Sequence, residues 1–166
     1  MLQQLRPAGL SIRLATLDDL AELLELEAFG GSDVLSASEA TLRRRIEAHP
    51  TGQYLAVAPD GQLLGAMYTQ RVSSYETLLT AQRETELDLH MPTGPVIQLL
   101  GVVQRPDTKV GDLLRKYVLL LGRLDATVDR ACGVTRCRAY ETASGKDYQA
   151  HVDEGTDPGL RFHSEA

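Results

Sequence analysis

A single α/β domain is what this sequence predicts, and three observations carry the prediction. The first is the stretch 96–125, where an apolar run, VIQLLGVV, breaks at QRPDTKVGD and resumes as LLRKYVLLLGRLD with helical spacing. The second is that runs of period two alternate with runs of period 3.6 along the chain, as they do when strands and helices pack in layers. The third is size and composition. A chain of 166 residues, 43% of them hydrophobic, suits one core that removes roughly two-thirds of the unfolded surface from water.

Residues 96–103 sit between Pro95 and Pro106, and their length and Leu and Val content fit a strand packed on both faces. Beyond the break, Val110, Leu113, Leu114, Tyr117, Val118, Leu121 and Leu124 share one helical face, while Asp112, Arg115, Lys116 and Arg123 share the other. A strand end, a tight loop holding Gly111 and a helix whose first amides point back over the strand make a site for anionic phosphates. The same pattern also suits a strand merely packed on a helix.

Residues 10–17 (LSIRLATL) alternate, with Leu10, Ile12 and Leu14 on one side of a half-buried strand. Thr16 opens a T-x-x-D helix start, Leu20, Leu23, Leu24 and Ala28 form its apolar stripe, and Gly30 and Gly31 end it. Ser36 and Glu39 form an S-x-x-E capping box for a second, short helix. Its inner face is Leu42, Ile46 and His49, its Arg43, Arg44 and Arg45 stay in water, and Pro50 stops it. Residues 54–58 and 63–71 read as a hairpin across Pro59, Asp60, Gly61 and Gln62. Residues 74–90 are a surface helix or an ordered excursion, 134–140 (VTRCRAY) a further short strand, and the remainder helical pieces at most.

Charge and cysteine content narrow the function classes. With 17 Lys and Arg against 23 Asp and Glu, the formal net charge of -6 gives no reason to expect nucleic acid or an anionic membrane as partner. Cys132 and Cys137 lack His or Cys at ligand spacing, so neither a disulfide framework nor a metal is expected, and the reduced cytoplasm is the default setting. No long apolar run or leader is present to suggest export.

The pieces LATLDDLAELLELE, GQYLAV, YTQRVSS, PTGPVIQLLGVV, VTRCRAY and DPGLRFH, together with the element order, resemble the GNAT acyltransferase fold, with its mixed central sheet flanked by helices. Within that superfamily TGPVIQLL and VTRCRAY resemble the GNAT-like loading domains of polyketide synthases, the curacin type, and the starter synthase of saxitoxin-like pathways. The resemblance covers 1–166 as one domain with a core over about 10–166, and it implies two further strands after the chain's end. It departs in two places. The phosphate loop is about three residues shorter than the family's Gln-Gly-x-Gly run, with Lys109 where a glycine is expected, and Phe29 or Gly30 stands near a position that some relatives fill with Trp.

What the resemblance implies is an acyl-CoA site on Leu100, Val102, Val103, Lys109, Val110, Gly111 and Asp112. The implied activity is decarboxylation of malonyl-CoA, with or without transfer of the acetyl group from acetyl-CoA to the phosphopantetheine thiol of an acyl carrier protein, among other synthase domains. Decarboxylation develops negative charge on the thioester oxygen, which calls for hydrogen-bond donors rather than a strong base. By motif these are Thr135 of VTRC and His163 of FH, with polar atoms expected within about 8 Å of each other. Read without the resemblance, Thr135 is a β-branched strand residue, His163 a tail histidine and Cys137 a small buried residue, while His49, His90 and His151 have no role. An N-acetyltransferase for a small amine and a catalytically weak docking domain are the alternatives.

Overall fold

The computed structural model describes residues 9–30, 36–82, 85–134, 140, 145, 147–158 and 160–161, in two compact units, 1–132 and 133–166. The first unit is a sheet in the order β1 to β5: β1 (Ser11–Leu14), β2 (Gln53–Val57), β3 (Leu63–Val72), β4 (Val96–Gln104) and β5 (Arg130–Gly133), the last reaching the unit boundary. Strands β1 to β4 are antiparallel neighbours. Between β4 and β5 the chain crosses through helix α3 (Val110–Leu124). The Asp129 N–H bonds the Pro95 carbonyl at 2.8 Å, so β5 begins beside the beginning of β4 and the two run the same way. This is the expected mixed sheet.

Helix α1 (Leu20–Glu27) follows a 3-10 turn whose start is a carboxylate clamp: Asp19 accepts from the Thr16 N–H at 2.8 Å and from its hydroxyl at 3.1 Å. Its buried side chains are Leu20, Leu23, Leu26 and Glu27, whereas Ala28 is exposed, because the α-helix ends at Glu27 and a tighter turn takes over. Helix α2 (Glu39–Ala48) begins two residues later than its sequence predicts. Ser38 is the cap, accepting from the Thr41 N–H at 3.2 Å, and the Ser36 hydroxyl donates instead to the Glu27 carbonyl. Leu42 and Ile46 are buried as expected, but Arg45 is not wholly in water: its guanidinium carbon stands 4.8 Å from the centre of the Tyr68 ring.

Helix α3 buries Val110, Gly111, Leu114, Arg115 and Val118, a stripe rotated from the sequence expectation. Arg115, expected in water, is 3% exposed, and Leu124, expected inside, is 73% exposed because it is the last helical residue. Leu14, likewise expected inward, is exposed at 40%. Among the described residues of 74–90 the chain makes two 3-10 turns, Glu76–Leu78 and Glu86–Leu89, the ordered excursion rather than the surface helix of the two alternatives. Strand β5 starts four residues before the expected strand at 134–140, since the Asp125 turn, closed by Val128 N–H to the Asp125 carbonyl, returns the chain to the sheet at once. Residues 135–139 lie outside the described residues.

Each face of the sheet has its own core. Leu23, Leu26 and Leu42 pack on Leu55, Ala66 and Tyr68 on one side, and Val110, Leu114 and Val118 on Ala56 and Met67 on the other. Among the described residues no helix is long and apolar enough to cross a membrane.

Candidate active site

The crossover from β4 to α3 is the first component of the site. Along β3 and β4 the register pairs Tyr68 with Gly101 and Thr69 with Leu99, which leaves Leu100 as the extra residue of a β-bulge. A bulge bends and twists a strand and re-aims its neighbours, and it recurs beside active sites. Beyond it, β4 continues to Gln104 while β5 is only four residues long from its start beside Val96. Among the described residues, the far half of β4 therefore has no strand partner on its β5 side. A strand edge without a neighbour presents backbone N–H and C=O groups, which is what an extended amide-bearing ligand needs.

The loop after β4 is spanned by one side chain. Gln104 accepts from the Gly111 N–H through Oε1 at 2.7 Å and donates through Nε2 to the Thr108 carbonyl at 2.5 Å, spanning the loop from end to end. Inside it, the Thr108 N–H reaches the Arg105 carbonyl at 3.4 Å across Pro106 and Asp107, and Asp107 has φ of 63°. Proline second and a positive φ third is the pattern of a type II turn, which favours glycine in the third place. Asp107 thus does the backbone work of one of the missing glycines. At Gly111 a Cβ would stand 2.8 Å from the Gln104 oxygen and 3.3 Å from Val102 Cγ2, so a side chain here would force the loop apart.

The expected CoA-binding residues divide into backbone and side-chain roles. Val103 is 8% exposed and belongs to the core beneath α1 and α2, so it offers a ligand only main-chain groups, whereas Val102, packed toward α3, and Leu100 are half-buried. Lys109 is exposed and caps α3 without a side-chain bond, and Val110 is buried against Gly65. Asp112 places a carboxylate in the first turn, where phosphate would also go, but it is neutralised by Arg115 and Lys116, each at 2.7 Å. The hydrogen bond from Lys116 leads the interactions that hold its carboxyl below the usual range. Arg105 ties this loop to the end of α1: its guanidinium carbon is 5.2 Å from the Phe29 ring centre.

The second component is a buried polar row under α1 and α2. Glu27, 7% exposed, accepts from the Tyr68 hydroxyl at 2.9 Å and from the Ala37 N–H at 2.8 Å, so it fixes both ends of the α1–α2 connection. Burial, with the Glu27 charge beside it, pushes the Tyr68 phenol well above its ordinary pKa. Next along the sheet Gln70 donates to the Gln98 side chain and to the Glu86 carbonyl, both at 2.7 Å. An open cavity of about 410 Å³ lies between Ser36, Ser38, Thr41, Arg44 and Arg45 on one wall and Glu86 on the other. Arg44 is paired across it with Asp88.

Thr135 and His163 lie outside the described residues, as does Cys137, so their separation is not defined. Sequence reasoning overlooked Gln104, Asp107 and the Glu27–Tyr68 pair. Gln104 alone carried a signal, a polar residue closing an apolar strand seven positions before the loop glycine. Among the described residues, no three His, Cys, Asp or Glu are arranged to hold a metal ion.

No family model matches the sequence, and no curated protein sequence matches it. Solved structures do. The GphF GNAT-like decarboxylase, in complex with isobutyryl-CoA, is 34% identical over 93% of this chain and 84% of that chain, with a TM-score of 0.85. The loading GNATL domain of CurA from Lyngbya majuscula is 29% identical over 93% and 82%, with a TM-score of 0.84. An aminoglycoside antibiotic 6'-N-acetyltransferase from Acinetobacter baumannii matches over 91% of this chain and 92% of that one at 15% identity and a TM-score of 0.54, a likeness of fold alone.

Proposed function

This chain belongs to the family of GNAT-like decarboxylase and loading domains, and from that membership we propose that it decarboxylates malonyl-CoA and passes the acetyl group to the thiol of an acyl carrier protein. The observation that carries the reading is the bulged β4, whose far half, residues 100–104, runs on into the Gln104-braced loop and α3. Acyl-CoA would lie along that half-strand with its pyrophosphate at the α3 start, near Lys109 and the Val110–Asp112 amides.

In the chemical step the bond from the α-carbon to the carboxylate carbon breaks and carbon dioxide leaves. The electron pair moves into the thioester to give an enolate, and a proton returned to the α-carbon yields the acetyl thioester. Thr135 and His163 are assigned as donors to the enolate oxygen, each contributing on the order of 2 to 4 kcal/mol, with His163 also suited to return the proton. In the transfer step the carrier thiol attacks the acetyl carbonyl and the CoA thiol departs. Other domains of a synthase are the expected partners.

Mass spectrometry of the reaction with malonyl-CoA should find acetyl-CoA and, with a holo carrier protein added, acetyl on its phosphopantetheine arm. His163→Ala and Thr135→Val should each slow decarboxylation by about a hundredfold and leave CoA binding nearly unchanged. Full activity in both variants sinks the assignment of these residues, and rapid acetylation of a small amine in place of the carrier sinks the acceptor. Because the Gly111 amide is already satisfied by Gln104, CoA should bind weakly, tenfold or more below a loop that spends all its amides on phosphate. Submicromolar affinity by calorimetry would contradict that.

A further inference from the structure

The start of α3 is capped from outside the helix. The first amides of a helix have no partner within it, and the residue before the first turn normally supplies one through a short polar side chain. Lys109 holds that position here and has no acceptor to offer. Asp112 has one, but its carboxylate is paired with Arg115 and Lys116. Among the described residues the side-chain acceptor for a first-turn amide comes instead from Gln104, seven residues back along the chain, whose Oε1 takes the Gly111 N–H at 2.7 Å.

The turn between β4 and α3 does not depend on that bond. Arg105 is fixed to β3 twice, its N–H donating to the Leu64 carbonyl and its Nε to the Leu63 carbonyl, both at 2.8 Å. The Thr108 hydroxyl closes the turn again by donating to the Arg105 carbonyl at 2.8 Å. A side chain whose only duty was to hold this turn would add little to those bonds. What Gln104 does hold is the place of a ligand oxygen. Its Oε1 meets an amide in the row to which a phosphate oxygen would bond, and a single N–H makes one full-strength hydrogen bond at a time. Gly111 makes the room, since a Cβ there would stand 2.8 Å from that oxygen.

We propose that Gln104 is a built-in competitor for the phosphate site: in the free protein its amide oxygen occupies the Gly111 N–H, and the pyrophosphate of acyl-CoA must displace it to bind. This rests on the reading that acyl-CoA lies with its pyrophosphate at the start of α3. Calorimetry with CoA and with inorganic pyrophosphate tests it, on the full chain and on variants checked by circular dichroism. Gln104→Met keeps the length of the side chain without its strong acceptor, so the Gly111 amide is freed, and both probes should bind about threefold to tenfold more tightly than to the parent. Gln104→Ala frees the same amide and decides the matter if the Met variant does not fold. Gln104→Glu keeps the acceptor and adds a negative charge where phosphate must come, so both probes should bind about tenfold or more weakly. In malonyl-CoA decarboxylation the Met variant should lower KM with kcat within about twofold, since the pyrophosphate lies far along CoA from the thioester. A side chain that only shaped the loop would give the opposite sign, weaker binding once it is removed; that result, or an unchanged affinity, overturns the proposal. Should CoA fail to bind the parent and the Met variant alike, the reading of the site falls with it; should CoA bind both equally well, the competitor alone falls.

Discussion

On the face covered by α3, the centre of the sheet meets hydrocarbon: Leu114 at 0% exposure, Val118 at 2% and Met67 at 1% fill it. On the face covered by α1 and α2, equally buried positions are given to Glu27, Gln53, Tyr68, Gln70 and Gln98, each joined to a named partner. The centre of the first face asks only for volume, and Leu114, Val118 and Met67 are interchangeable there with others of similar size and shape, although the helix that covers it also buries Arg115. The second asks for particular atoms at particular places, and it is not fully satisfied: the buried side-chain oxygens of Gln53 and Gln70 have no hydrogen-bond partner among the described residues.

Substitutions can break that contrast. The largest effect should come from Leu114→Ala, which empties a fully buried site and should lower stability by about 3 kcal/mol in urea unfolding, with no recovery from any polar replacement. Tyr68→Phe changes almost no volume, so it would be near neutral on the α3 face. Here it removes the donor to Glu27 and should destabilise by about 1 to 3 kcal/mol. A thermodynamic cycle of Tyr68→Phe with Glu27→Gln should then show a coupling of about 1 kcal/mol or more; additivity would mean the buried row is packing alone.

A smaller effect sharpens the comparison through pH. His49 closes α2 with its ring 5.1 Å from that of His90, and burial first, then the neighbouring His90 and Arg71, lower its pKa to about 4. A histidine whose folded pKa lies below its unfolded value near 6.5 is held neutral by the fold. Its contribution is complete above pH 6.5 and is lost as pH falls toward 4. Because the residue is partly open to solvent, about 1 to 2 kcal/mol is the discounted size. Unfolding measured at pH 7 and pH 4.5 should show His49→Asn losing less stability on acidification than the parent, and equal losses would assign the acid sensitivity elsewhere.

How much of this was legible in the sequence depends on what each signal measured. Hydrophobic periodicity reports which residues avoid water, so it located β4, α3 and the hairpin within a residue or two. It misplaced Leu124, because burial at a helix end is decided by where the sheet stops, and it misplaced Arg115, because the buried stripe of α3 is rotated to take in that side chain. Ser36 and Ser38 carry the same capping chemistry, and only the Glu27 carbonyl that claims Ser36 separates them. Of the site, the loop glycine at Gly111 was readable, whereas the only sign of the Gln104 brace was a polar residue closing an apolar strand, which does not say what its side chain reaches seven residues on. Glu27 and Tyr68 stand 41 residues apart, and nothing in either neighbourhood announces the other.

Arg71 joins three distant parts of the first unit: its guanidinium donates to the Gly94 carbonyl, Asp125 and Thr127, which lie 23, 54 and 56 residues along the chain. Contacts of such long sequence separation can form only after the intervening chain has lost its freedom, so they belong to the slow, late part of folding. Arg71→Lys keeps the charge and forfeits the fork, and it should raise the unfolding rate several-fold in denaturant jumps while leaving the refolding rate almost unchanged. The arginine that closes the β4–α3–β5 crossover would thus set how long the native chain lasts between openings, and have little say in how quickly it forms.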